Sequence, residues 1–207
     1  MINPLIFLYI GLGAATLYAI VFLLGTWISR RNAGIISRDS DQSGKWNYDQ
    51  SAIRRRDRLL DESIAVDLLR TAEYGILSMT DVFGKAYGVP VNFAYDGDGH
   101  IYIHCAPDGR KLRAISSHPD VSFCIIGNTH VLPRKFTTNY ESVICECVAC
   151  AELDELERRR ALELIIEKYA SAFKETGLNY IDKSFHRTAV IRLDIISASG
   201  KSKSVTE

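Results

Sequence analysis

The stretch best equipped for chemistry is His104-Cys105-Ala106-Pro107-Asp108-Gly109-Arg110-Lys111-Leu112. It leaves a strand-like run, turns through a proline and a glycine, and opens a helix with two adjacent cations. Gly109 lets the backbone turn tightly. The first turn of the new helix offers unpaired N–H groups, and Arg110 and Lys111 add charge-assisted hydrogen bonds, so the chemistry indicated is the binding of a phosphate. A basic helix start that simply faces water fits the same residues. His104 falls on the Tyr102 side of its strand, opposite Ile101, Ile103 and Cys105, and need not be core. An imidazole there is able to exchange a proton with a substrate oxygen. The plain alternative is a half-buried strand histidine bonded to a neighbour.

Cys145-Glu146-Cys147-Val148-Ala149-Cys150 places three thiols within one short run. On a strand, Cys145 and Cys147 share a face and Cys150 lies on the other, and no second ligand pair follows downstream, so no metal site is expected. With Cys105 and Cys124 the cysteines number 5, an odd count, and fall in strand-like segments, which suits reduced thiols. Gly11-Leu12-Gly13-Ala14-Ala15-Thr16 has the outline of a dinucleotide fingerprint, but no strand precedes it.

The elements that must position these residues follow from periodicity. Asp61 caps a short amphipathic helix carrying Ile64, Ala65, Leu68 and Leu69 and ending near Thr71. Strand-like runs cover Tyr74 to Thr80, Ala86 to Tyr95, Ile101 to Cys105 and Val121 to Ile126. Gly84 and Asp96-Gly97-Asp98-Gly99 make the first three a meander of hairpins. Arg110 to Ser117 is a brief helix stopped before Pro119. A longer strand runs from Tyr140 to about Ala151, and Asp154 with Glu157 then caps a helix with Leu162, Ile165, Ile166 and Tyr169 on one face. Arg158, Arg159 and Arg160 read as its solvated face. A last strand alternates from Phe185 to Ile196. Short strands joined by hairpins, without βαβ alternation, indicate a closed or partly closed antiparallel barrel rather than a doubly wound sheet.

From Leu5 through Ile28 the chain carries no charged residue, and at about 1.5 Å of rise per residue this stretch matches a hydrocarbon core of about 30 Å. Asn3 and Pro4 mark a helix start, and Trp27 suits an interface. The arginines at 30, 31, 38, 54, 55, 56 and 58 and Lys45 outnumber Asp39, Asp41, Asp49 and Asp57, which favours a cytoplasmic C-terminal side. The expectation is a transmembrane anchor at 1–29 with its N-terminus out and membrane lipid as its neighbour. A flexible polar linker at 30–52, a single domain at 53–198 and a polar tail at 199–207 follow. Lys+Arg at 25 balance Asp+Glu at 25, so no overall basic excess argues for nucleic acid.

Several segments occur together in an informative order: Arg54-Arg55-Arg56-Asp57-Arg58, Gly88-Val89-Pro90-Val91-Asn92-Phe93, Ile101 to Ala106, Gly109-Arg110-Lys111-Leu112, His118-Pro119-Asp120-Val121-Ser122-Phe123 and Tyr140-Glu141-Ser142-Val143. This order resembles the pyridoxamine 5'-phosphate oxidase-like FMN-binding split barrels, and within them is most similar to the nitroimidazole-resistance (Nim) branch. The resemblance covers roughly Ile53 to Ile196. It implies a mainly β (α+β) fold with a six-stranded antiparallel split β-barrel and flanking helices, usually a homodimer with a flavin in each of two interface clefts. It further implies that Arg110 and Lys111 hold the FMN phosphate. Val89, Pro90, Val91 and Asn92 would lie along the isoalloxazine and ribityl chain. His104 and Cys105 would line the same cleft, His104 as the catalytic candidate, and Ser142 would join from a later strand. The family often carries glycine where this chain has its cysteine-rich strand.

The function so implied is an FMN-dependent, nitroreductase-like oxidoreductase that passes electrons to a small-molecule acceptor such as an aromatic nitro compound. The alternative is a flavin- or haem-binding sensing module without turnover, with His104 as an axial ligand. A deazaflavin in place of FMN is a third possibility.

Overall fold

The structure is a computed structural model and describes residues 46–206. Its elements in chain order are β1 (Asn47–Tyr48), α1 (Glu62–Thr71), β2 (Gly75–Thr80), β3 (Ala86–Val91), β4 (Ala94–Tyr95), β5 (His100–Cys105), α2 (Arg110–Ser117), β6 (Asp120–Leu132), β7 (Thr137–Cys150), α3 (Glu155–Ala170), α4 (Lys174–Ser184) and β8 (Ala189–Lys203). The strands form one sheet in the order β3-β2-β6-β7-β8-β5-β4, with β1 added to β8 in parallel. Every other pairing is antiparallel.

The two outermost strands, β3 and β4, are separated in the chain only by Asn92 and Phe93. At about 3.3 Å per extended residue, the two ends of the sheet are forced together by the backbone itself, and the sheet closes into a barrel. The run expected as one strand, Ala86 to Tyr95, is therefore two, split where the barrel turns its corner. Tyr169, in the last turn of α3, serves the split: its hydroxyl accepts from the Phe93 N–H at 3.0 Å and lies 2.8 Å from the Phe93 carbonyl and 2.6 Å from that of Glu73. Asn92 Nδ2 also donates to the Glu73 carbonyl, at 2.8 Å.

Alternation fills the barrel. Leu77 and Met79 of β2, Val121, Phe123 and Ile125 of β6, and Val143, Cys145, Cys147 and Ala149 of β7 point inward, with Ile191, Leu193 and Ile195 of β8. Ala65, Leu68 and Leu69 of α1 join the same core, while Ile64, expected on the same face, is 39% exposed. Phe93 stands edge-on to Phe123 with centroids 5.0 Å apart. A second, smaller core of Tyr102, Ala161, Leu162, Ile181 and Val190 lies beneath α3 and α4.

Several boundaries differ from expectation. Phe185–Arg187 is a 3-10 turn, not strand, because Arg158 draws the carbonyls of Phe185 and Thr188 onto its guanidinium. β8 instead runs on to Lys203, so much of the presumed polar tail is strand; the extended β7 supplies its ladder, pairing Tyr140 with Lys203 and Ser142 with Lys201. β6 and β7 likewise extend past Ile126 and before Tyr140, across a register shift between Ile126 and Thr129. Within the stretch expected as a linker, the residues from Trp46 lie on the barrel: Trp46 Nε1 donates to the Tyr95 hydroxyl at 3.0 Å, and Tyr48 donates to the Leu60 carbonyl at 2.7 Å. Two aromatics among polar neighbours are hidden by an averaged composition.

The expected single-pass membrane localisation is corrected: among the described residues no helix is long and apolar enough to cross a membrane. The stretch from Leu5 to Ile28 on which it rested lies outside the described residues.

Lys168 of α3 places its Nζ 3.7 Å from the Phe93 ring centroid, buried and without a hydrogen-bond partner. Burial pushes its amine down to about 8 from 10.5. The charged form is thus disfavoured in the fold, a cost fully present below pH 8 that fades as pH rises towards 10.5. The ring's negative face offsets part of it, and the side chain is only half-buried, so Lys168→Met is expected to add about 1 kcal/mol at pH 7. Thermal melts of both proteins from pH 7 to 10.5 check this; a gain that does not shrink with pH would assign it to apolar packing.

Candidate functional site

β5 ends at Cys105, and the chain turns through Ala106 to Gly109 before α2 begins. Gly109 has φ of 155°, and a Cβ there would meet nothing within 4 Å. The α2 N-terminus carries no side-chain cap on its leading N–H groups and no acidic residue in its first turn. Three cations surround this end, and they differ. Arg113 pairs with Asp108 at 2.8 Å at the surface. Arg110 pairs with Asp81 at 2.7 Å and lies over the Tyr87 ring at 4.0 Å. Lys111 makes no hydrogen bond or ion pair among the described residues, and its charge is felt at both His104 and Cys105.

His104 follows the alternation read from the sequence. Tyr102, on the same side, is covered by α3 and donates its hydroxyl to Glu157 at 3.1 Å, while His104 lies beyond that cover with an exposed ring. Crowding by neighbouring protein and then the Lys111 charge hold its imidazole below the ordinary histidine value. Burial pushes the Cys105 thiol up, against the opposing pull of Lys111. His104, Cys105, Arg110 and Lys111 therefore form one neighbourhood at the open end of β5.

The three β3 candidates, with Asn92 just beyond the strand, do not share one face. Val89 and Val91 turn inward onto the core, whereas Pro90 and Asn92 are exposed. Within β3, alternation puts Pro90 on the face opposite Val89 and Val91. Ser142 lies on the outer face of β7, paired with Ile126 and Lys201. Two strands, β2 and β6, stand between it and β3, about 14 Å of sheet, so a single chain does not bring it to the others.

That outer face carries a feature the sequence reading missed. Register aligns Pro90, Ile76, Cys124, Ile144 and Ser199 in one row across five strands. Ile126 and Ile144 are 42% and 46% exposed. Beside the row lies a concavity of about 500 Å³ lined by Ser78, Thr80, Ser122, Glu146, Val148 and Ile196. Outward isoleucines in strands are the signal that could have shown it.

The cysteine-rich strand behaves as its alternation requires: Cys145 and Cys147 are buried in the barrel and Cys150 is not. Burial pushes the Cys145 thiol up to about 12, so it stays protonated. Among the described residues no cluster of His, Cys, Asp or Glu is arranged to hold a metal.

Known structures share this fold. A candidate 5-nitroimidazole antibiotic resistance protein from Bacteroides thetaiotaomicron aligns over 70% of this chain and 85% of its own, at 22% identity and a TM-score of 0.59. The flavocytochrome Anf3 from Azotobacter vinelandii aligns over 78% and 77%, at 19% identity and a TM-score of 0.58. An FAD and haem binding protein from Mycobacterium smegmatis aligns over 72% and 75%, at 16% identity and a TM-score of 0.56. None of the curated proteins matches the chain in sequence. Residues 61–202 match the family described as pyridoxamine 5'-phosphate oxidase, and the chain belongs to that family.

Proposed function

We propose that this protein binds FMN at the α2 corner and works as an oxidoreductase that delivers electrons to a small acceptor, an aromatic nitro compound among the candidates. The observation that carries the reading is the uncapped start of α2, where Lys111 has no carboxylate partner and Arg110 stands alongside. These residues fit a phosphate: the helix N–H groups can donate to its oxygens, Lys111 supplies a point charge, and the open space at Gly109 admits close approach. Bound flavin supplies the electron transfer. His104, exposed and held neutral by its surroundings, can take or return a proton at an imidazole nitrogen within reach of the Lys111 charge.

The exposed row on the sheet, with its concavity, supports a homodimer in which a partner covers that face and brings the Ser142 side of its sheet closer to the corner. Sedimentation of the purified chain at micromolar concentration tests it, a monomer being the adverse result.

FMN titration followed by fluorescence quenching tests the binding. A saturable curve is expected, and Lys111→Ala should weaken it roughly thirtyfold, about 2 kcal/mol. Unchanged affinity would remove the phosphate assignment. Turnover is tested by reducing the FMN complex anaerobically and adding a nitroimidazole; reoxidation supports the reductase reading.

A second reading, a flavin- or haem-binding module without turnover, is favoured by the same exposed neutral imidazole of His104, a competent axial ligand. Structural relatives described as a flavocytochrome and as an FAD and haem binding protein lend it support. A Soret band on haem addition that His104→Ala abolishes would establish it.

A further inference from the structure

We infer that Asp81 and Tyr87 are positioning residues that hold the Arg110 guanidinium in one pose for a ligand phosphate, an inference that rests on the flavin-phosphate reading above. Arg110 is held on two sides. Its Nη2 donates to Asp81 Oδ2 at 2.7 Å, and its guanidinium carbon lies 4.0 Å from the Tyr87 ring centroid. One edge and one face are taken, while Nε and Nη1 stay available. A half-exposed arginine would otherwise sample many rotamers and lose them only when a ligand arrives.

The holders are themselves fixed. Asp81 is 5% exposed, and its Oδ1 accepts from the Phe83 and Lys85 N–H groups, each at 2.9 Å. Its own N–H donates to the Lys85 carbonyl at 2.8 Å, closing the turn between β2 and β3. The Lys85 backbone bond and the Arg110 guanidinium lower its carboxyl from the usual carboxylate value, so it stays ionised at neutral pH. Tyr87 packs against the barrel core. The pose of Arg110 is thereby tied to the β2–β3 turn and, through Tyr87, to the barrel core.

The same carboxylate also places a negative charge near an anion site, so its removal has two opposed consequences, and measurement separates them. Asp81→Asn retains an oxygen for the Phe83 and Lys85 N–H groups and presents an amide that cannot accept from Arg110. Tyr87→Leu removes the stacking face and keeps an apolar side chain against the core. Both full-length variants and the parent are titrated with FMN and with riboflavin, which lacks the phosphate. Each variant is expected to lose roughly tenfold in FMN affinity while riboflavin affinity stays within about twofold, so the preference for FMN collapses.

A variant that keeps the parental preference, or binds FMN more tightly, overturns the inference and leaves the phosphate site intact. A parent that does not distinguish FMN from riboflavin removes the phosphate reading and this inference with it. Should Asp81→Asn fail to fold, Tyr87→Leu decides alone.

Discussion

Gly75→Ala is expected to destabilise the barrel by about 3 kcal/mol, lowering its melting temperature by roughly 6–12 °C. A Cβ at Gly75 would press on the Phe123 ring, 2.5 Å from Cε1 and closer still to Cζ, and would lie 3.1 Å from the Cys124 carbonyl. Neither side can give. Phe123 is fully buried and braced edge-on by Phe93, while Gly75 is paired on both flanks, with Val91 and with Ile125. Gly88→Ala is the control. In β3 its new Cβ would meet Ile76 and Ser78 only at 3.8 Å, ordinary contact, so its effect should stay within about 0.5 kcal/mol. Thermal and urea unfolding of the two variants decide the matter, and equal melting points would refute the packing argument.

Tyr169→Phe is expected to cost about 2 kcal/mol, or roughly 4–8 °C, although the ring is retained. Its hydroxyl serves the Phe93 N–H and carbonyl where the β3–β4 run breaks, and Phe93 is fully buried. With the hydroxyl gone, the Phe93 N–H and carbonyl lose the side-chain partner that serves both of them. The loss should be local as well as global: hydrogen exchange at the Phe93 amide should accelerate more than at Leu77 in the adjacent strand. Protection of Phe93 unchanged in the variant would show that the split is held by something else.

What was legible in the sequence was what is local. Most of the buried face of α1 and the inward set of β2 follow from periodicity within one element, whereas the cover that α3 lays over Tyr102 does not. The α2 corner was visible because Gly109, Arg110 and Lys111 are neighbours in the chain. Asp81, which holds Arg110, lies 29 residues away, and no local pattern marks it. The same limit explains the strand ends. Ser197 to Lys203 has the composition of a tail, and only the partner ladder of β7 makes it a strand. Val89, Pro90, Val91 and Asn92 are grouped along a cofactor only by the family resemblance; which of them face the core and which face out is set by strand alternation. Ser142 could not be placed at all without the strand order.

The central position of β8 also governs when this fold can exist. β8 lies between β7 and β5 and receives β1 as well, so Ile101 meets Leu193 and Asn47 meets Ser197. On a ribosome, the β2–β3 and β6–β7 hairpins can form as they emerge, because their partners are adjacent in sequence. β5, β7 and β1 must wait, with open edges and an uncovered core, until the residues of β8 are made. Closure is the last step open to the nascent chain, and the interval before it is when the exposed edges are most prone to pair with the wrong strand.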